Sequence, residues 1–186
     1  MCYNEKIVAM SITFFPLQIS DLPLLHQWFQ EPIVKKWYAR EFTFSAEAIR
    51  EKYLPRILEQ EAVPSFIVQI NENPIGFIQY YALTNYLPEG INKENALFHL
   101  AKPHQIAGID FFIGESLFRG RGIGTKILQQ FIASYLEQSF SIVVVDPEIN
   151  NQAAIHFYQK NGFTLTDYSE TPEYVILLKA CGTGFI

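Results

Sequence analysis

The chain has 186 residues, 49% of them hydrophobic and 18% charged, with 16 Phe and 10 Tyr. That length suits one domain spanning residues 1–186, and that composition excludes a disordered chain or a coiled coil. A formal charge of -5 argues against a nucleic-acid binder, which shows a basic surplus, and is compatible with a cationic small-molecule substrate.

Residues 7–20 carry no charge, but no basic cluster precedes them and no A-x-A site follows, so they read as a first strand, Ser11 to Pro16, rather than a leader. No apolar run approaches the ~20 residues that cross a bilayer. Cys2 and Cys181 form no CxxC pair, and His26, His99, His104 and His156 lack ligand spacing, so neither a metal site nor a disulfide framework is expected. The expected home is a reducing cytoplasm, as monomer or homodimer, with no membrane or nucleic-acid partner.

Leu22, Leu24, Leu25, Trp28 and Phe29 recur at helical spacing behind Asp21, a possible N-cap, and Pro32 marks the start or break of a second short helix. Ser45 caps a further amphipathic run to about Glu61, with Ile49, Tyr53, Ile57 and Leu58 on one side and Pro55 expected to kink or interrupt it. Ser65 to Ile70 and Ile75 to Leu83 read as a hairpin about the turn Asn71-Glu72-Asn73-Pro74. From Thr84 to Ile106 the pattern dissolves into a loop long enough to cover a site. Trp37, Tyr38, Tyr80 and Tyr81 suit either an acceptor pocket or the core.

The second half alternates strand and helix: Ala107 to Ile113, a glycine turn, a helix from Gly122 to Gln138, and the apolar strand Ser141 to Asp146. Such alternation predicts a parallel β-α-β pair. Asn151 to Asn161 is a further helix closed by Gly162, before strands at Phe163 to Ser169 and Tyr174 to Lys179. Free N–H groups and the positive dipole end where the Gly122 helix begins suit a phosphate or pyrophosphate.

A Walker A loop is excluded because Thr125 separates the last glycine from Lys126, and GxGxxG fails because Thr125 stands where a glycine is needed. The pattern present is R-x-x-G-x-G, Arg119 to Gly124. This resembles the acyl-coenzyme A pyrophosphate loop of the Gcn5-related N-acetyltransferase (GNAT) superfamily. Asn151 to Phe163 is similar to the superfamily's second signature, N-x-x-A-I-x-x-Y-x-K-x-G-F. Glu51 to Pro55, Ile75 to Tyr81, Gly108 to Asp110, Gly122 to Lys126 and Asp146-Pro147 resemble the aminoglycoside 6'-N-acetyltransferases, over about residues 12 to 180.

The resemblance implies an α/β (α+β) GNAT fold, a mixed and mostly antiparallel sheet splayed into a V between the strands ending at Ile113 and Asp146. It implies acetyl-coenzyme A as co-substrate and acetyl transfer to an amine, an aminoglycoside 6'-amine first, by direct attack in a ternary complex. The coenzyme-binding set expected is Phe112, Ile113, Arg119, Gly120, Arg121, Gly122, Ile123, Gly124, Thr125, Asn151 and Tyr158. The acceptor set is Trp37, Gln79, Tyr81, Asp110 and Asp146. Asp110 is the first candidate for the base and Asp146 the second, with the Tyr158 phenol as the donor to the departing sulfur. One departure concerns the loop before Gly108: it is acidic in the aminoglycoside enzymes, whereas here Phe98 to Gln105 brings His99, Lys102 and His104. Acylation of another amine or hydroxylamine, as in siderophore assembly, and a non-catalytic acyl-coenzyme A binding module are the alternatives.

Overall fold

The computed structural model describes residues 10–38 and 45–181, so Cys2 and residues 7–9 of the uncharged stretch lie outside the described residues. Its centre is a seven-stranded sheet in the order β1-β2-β3-β4-β5-β7-β6. The strands are β1 (Ile12–Pro16), β2 (Ser65–Ile70), β3 (Asn73–Ala82), β4 (Ile106–Ile113), β5 (Ile142–Val145), β6 (Thr164–Leu165) and β7 (Leu177–Ala180). Only β4 and β5 pair in parallel; the other neighbours are antiparallel.

Strand alternation sends successive side chains to opposite faces. One face of the sheet is covered by the helices α1 (Leu22–Gln30), α2 (Pro32–Trp37) and α3 (Ala46–Ile57), which pack on Ile67, Phe77 and Phe112. The other is covered by α4 (Ile123–Phe131) and α5 (Gln152–Lys160), on Val68, Ile78, Ile109 and Val143. A third apolar cluster gathers Tyr81, Leu97, Ile106, Ile142, Val144 and Ile176 under the segment between β3 and β4.

Local differences from the sequence reading have local causes. Asp21 stands at the N-cap of α1, but its carboxylate accepts from the Gln18 N–H (2.9 Å) and makes no side-chain cap bond to the helix. Ser45 does cap α3, accepting from the Ala48 N–H at 3.1 Å. Pro55 lies inside α3, yet only in its last turn: the helix ends two residues later at Ile57, and Leu58 is exposed rather than on the buried face. The β2–β3 turn is tighter than expected. Asn71 and Glu72 carry it alone, with φ of 48° and 68°, and Pro74 enters β3 opposite Gln69, where the register shifts beside Val68. Because β4 pairs with β3 only from Gly76 onward, the missing Pro74 N–H costs no bond to that neighbour.

The helix expected from Gly122 to Gln138 is α-helical to Phe131 and then widens into a π turn over Ile132–Leu136. β6 stops at Leu165, short of Ser169, because the chain beyond Thr166 leaves the sheet to hold the long loop. Asn95, 4% exposed, donates to the Tyr168 carbonyl at 2.8 Å, and the Glu170 N–H donates to the Gly90 carbonyl at 2.8 Å. That loop is therefore tied down. No helix among the described residues is long and apolar enough to cross a membrane.

Candidate active site

The parallel pair is short. Ile106, Ala107 and Gly108 pair with Ile142, Val143 and Val144, after which β4 runs on to Ile113 while β5 ends at Val145. Beyond Gly108 the two strands part, and a cleft of about 550 Å3 opens between them, lined by residues of β4, the turn after it, the end of β5 and the first two turns of α5. A smaller cavity of about 260 Å3 adjoins it, sharing Trp37, Tyr38, Asp110, Asp146, Pro147 and Asn151 and adding Lys52, Glu89, Glu148 and Tyr174.

The face of β4 that carries Asp110 also carries Ile106 and Phe112, which belong to two different apolar clusters. On β3, Gln79 likewise stands between Phe77 and Tyr81. Strand register then aligns Ser65, Gln79 and Asp110 in one row across β2, β3 and β4. The row is hydrogen-bonded along its length. Ser65 Oγ donates to Gln79 Oε1 (3.3 Å), Arg56 Nη1 donates to the same oxygen (2.8 Å), and Gln79 Nε2 donates to Asp110 Oδ2 (2.6 Å). Arg56 in turn pairs with Glu61, Nε to Oε2 at 3.2 Å.

Burial pushes the Asp110 carboxyl up, while the Gln79 hydrogen bond and the charges of Lys52 and Arg56 pull it down. Asp146 directly follows β5 and reaches the same space. Burial first, and the neighbouring Asp110 charge second, raise its pKa to about 7, against a hydrogen bond from the Glu89 N–H (2.7 Å). The Lys52 ammonium is pushed down to about 8, by burial and then by Arg56. Asp146 and Lys52, shifted toward neutrality, beside an Asp110 carboxyl that burial pushes up, make a set suited to proton transfer.

Tyr158 both packs in the core and lines the cleft. Its ring is 8% exposed and packs on Phe157 and Phe163, and the residue still lines the cleft. Burial, then Asp110 and Asp146, push its phenol pKa up, so the hydroxyl keeps its proton throughout the neutral range. Asn151 lines the cleft while capping α5, accepting from the Ala154 N–H at 3.2 Å.

Gly120 and Gly122 have φ of 71° and 74°, the latter as N-cap of α4, and a Cβ on either would meet nothing within 4 Å. The turn is thus open on the side where a ligand can approach. Gly124 serves a different purpose, since a Cβ there would come within 3.2 Å of the Phe157 ring. The Arg119 guanidinium is committed to the protein: Nε donates to the Ile113 carbonyl (2.8 Å), Nη2 to the Gly114 carbonyl (2.5 Å) and to Glu31 (3.3 Å). Its role is to shape the turn rather than to point at a phosphate. Ile113, Gly120, Gly122, Gly124 and Thr125 join Arg119 along the cleft, whereas Arg121 and Ile123 are not among its lining residues.

Phe112 borders the cleft but buries its ring against Phe29, Tyr38 and Phe77. Trp37 and Tyr38 line both cavities, and of the four aromatics only these two do so. Tyr80 packs against Phe131 and Phe140, and Tyr81 lies over Gly108, where a Cβ would be 2.4 Å from its ring. Gln79 and Tyr81 are both buried and line neither cavity; Gln79 reaches the cleft through its hydrogen bond to Asp110.

The profile of the acetyltransferase (GNAT) domain family matches residues 18–170 of this chain. The chain belongs to the GNAT acetyltransferase family. It is similar to the aminoglycoside N(6')-acetyltransferase type 1 of Klebsiella pneumoniae, at 26% identity over 165 residues that make up 88% of this chain and 79% of that protein. Among solved structures it is similar to AAC(6')-Ib in complex with ribostamycin and coenzyme A, with a TM-score of 0.76 and 25% identity across 91% of this chain and 93% of that one. A complex of AAC(6')-Ib with coenzyme A and kanamycin gives a TM-score of 0.72 and 26% identity across 91% and 95%.

Within this GNAT domain the basic loop segment lies outside the cleft and its adjoining cavity. His99, Lys102 and His104 line neither cavity, and the loop residue that does is Glu89. Sequence reasoning missed Glu89, Lys52 and Arg56. The two cations had a signal, an i, i+4 spacing on one face of the Ser45 helix, but nothing local tells which strand that face meets. Glu89 had none, since loop residues carry no periodicity.

Proposed function

We propose that this GNAT domain transfers an acetyl group from acetyl-coenzyme A to a primary amine of a cationic small molecule, of the aminoglycoside 6'-amine class. The observation that carries the reading is the meeting of Asp110 and Asp146 where β4 and β5 part, with Glu89 and Glu148 at the edge of the same cavity. The likeness to enzymes solved with aminoglycosides supports it.

The glycine turn fits a coenzyme A pyrophosphate: its surface is open at Gly120 and Gly122, and the first N–H groups of α4 have no intrahelical acceptor. Gly122, Gly124, Thr125 and Asn151 are the residues to hold it. Acetyl-coenzyme A supplies the activated acyl thioester. Among the described residues no cysteine lines the cleft, and Cys181 is buried in the α4/α5 core, which favours direct attack by the amine over a cysteine-bound acyl intermediate.

In this reading Asp146 and Glu89 hold the ammonium form of the acceptor. An alkylamine titrates near ~10 and must lose its proton before it attacks. Asp110 accepts that proton, directly or through water, at the carboxylate oxygen left free by Gln79. The Tyr158 hydroxyl donates on the opposite side, toward the leaving thiolate. Trp37 offers its ring as the wall against which a sugar face packs.

The decisive experiment is incubation with acetyl-coenzyme A and a panel of kanamycin-type aminoglycosides, polyamines and hydroxylamines, scored by release of free thiol. Aminoglycosides are expected to give the highest kcat/KM. A preference for hydroxylamines moves the acceptor to the siderophore type. Coenzyme A binding with no thiol release above hydrolysis for any amine makes the protein a binding module.

A further inference from the structure

We propose that Arg56, on α3, is a positioning residue for Asp110, acting through the side-chain amide of Gln79. The proposal rests on Asp110 being the base of the reading above. Its basis is the donor and acceptor inventory of the row across β2, β3 and β4.

Gln79 is 4% exposed, and an amide in that position has two orientations. Arg56 has donors only. It reaches the Gln79 atom on the side away from Asp110 at 2.8 Å, so that atom has to be the carbonyl oxygen; the Ser65 hydroxyl, 3.3 Å from the same oxygen, shares its one proton with the nearer Val63 carbonyl at 2.9 Å. The NH2 group is then forced toward Asp110, where it meets Oδ2 at 2.6 Å. A reversed amide would set its NH2 against a guanidinium and its carbonyl against a carboxylate, two repulsions in a buried place. Arg56 thereby dictates which Asp110 oxygen is taken and leaves Oδ1 for the acceptor's proton. Glu61 keeps the arginine in place at 3.2 Å, and the guanidinium lies 5.2 Å over the Tyr53 ring. The arginine side chain is 11% exposed, so it is a built part of the site and not a surface charge.

Asp110 is faced by Lys52, Tyr53 and Arg56 from α3, Tyr38 from the end of α2, Tyr81 from β3, Asp146 after β5 and Tyr158 from α5. Of these only Lys52 and Arg56 are cations, and the tyrosines are protonated at neutral pH. Removal of the Arg56 charge therefore leaves burial and Asp146 less opposed, and Asp110 holds its proton to higher pH.

The test is a carbon-13 NMR titration of protein labelled at aspartate carboxyls, with the Asp110 resonance assigned by its loss in Asp110→Asn, run beside steady-state kinetics with acetyl-coenzyme A and the best amine. In Arg56→Met the Asp110 midpoint is expected to rise by about one pH unit, and kcat at pH 7 to fall about tenfold, with KM for acetyl-coenzyme A unchanged. Arg56→Lys, which restores a cationic donor, should return the midpoint to within about 0.3 unit of wild type. Should Arg56→Met not fold, Arg56→Gln keeps a neutral donor and is expected to show the same rise. A folded Arg56→Met or Arg56→Gln protein with the wild-type midpoint, or with wild-type kcat, overturns the positioning role while a dead Asp110→Asn leaves the base assignment standing. Retained turnover in Asp110→Asn overturns both.

Discussion

Tyr158 is where the packing and catalytic roles of one residue can be separated by a single atom. Its ring fills a place between Phe157 and Phe163, so Tyr158→Phe keeps the contacts and deletes only the hydroxyl. The expected result is a fall in kcat of about 10² with a melting temperature within a few degrees of wild type; equal kcat, with the chemical step shown to limit turnover, reduces Tyr158 to a core aromatic. Asp146 carries a pH signature in stability as well. Its folded pKa of about 7 stands above the ordinary 3.8 because burial and Asp110 disfavour the charge. A group raised in this way favours the folded state fully below the unfolded value, and that contribution is lost as pH rises through about 7. Asp146→Asn, which cannot ionise, should therefore raise the melting temperature by a few degrees at pH 8, with the gain shrinking toward nothing near pH 4. Thermal unfolding at the two pH values checks it, and a gain of equal size at both contradicts the assignment.

At the scale of elements, the glycine turn and the splay depend on each other. β4 runs five residues, Ile109 to Ile113, beyond its last pair with β5, and the turn that follows returns the chain so that α4 begins at the edge of the opened space. Gly122 sits at the N-cap in a left-handed conformation, which a β-branched residue adopts only with strain. Gly122→Val is expected to weaken coenzyme A binding at least tenfold, about 1.4 kcal/mol or more, because both the turn conformation and its open surface are lost. Calorimetry on the folded variant measures this, and unchanged affinity takes the turn out of the coenzyme site. The features legible in the sequence share a local cause: the Ser45 cap, the start of a second short helix at Pro32 and the Asn71 turn all follow from side chains bonding or bending their own backbone. Pro55 interrupts the run expected to reach Glu61, since α3 ends two residues after it, whereas β6 is shorter than expected because Tyr168 is drawn off by Asn95 of the long loop.

Over the whole molecule, a charge of -5 sets a weak general preference for cations that the acceptor cavity concentrates, with Asp110, Asp146, Glu89 and Glu148 against Lys52. A long-range attraction of that kind is screened by salt over ~8 Å at physiological ionic strength. KM for a polycationic aminoglycoside is expected to rise several-fold between about 20 and 300 mM salt, with kcat nearly constant; a KM indifferent to salt contradicts an acidic acceptor site. What the amino-acid sequence by itself determined was the family, through its two motifs, together with the order of most elements and the glycine turn, because spacing along one strand or helix fixes which side chains share a face; the resemblance added Asp110, Asp146 and Tyr158 as candidates, and all three line one cleft. What only the tertiary structure decided was who stands opposite whom. The alternation of β3 put Gln79 on the same face as Phe77 and Tyr81, but its place beside Asp110 and Ser65 depends on strand register, and the reach of Arg56 into that row depends on how α3 lies across the sheet. Those are set by the packing of three apolar clusters with no counterpart in local sequence, and for that reason the polar row between two of them appears only once the chain is folded.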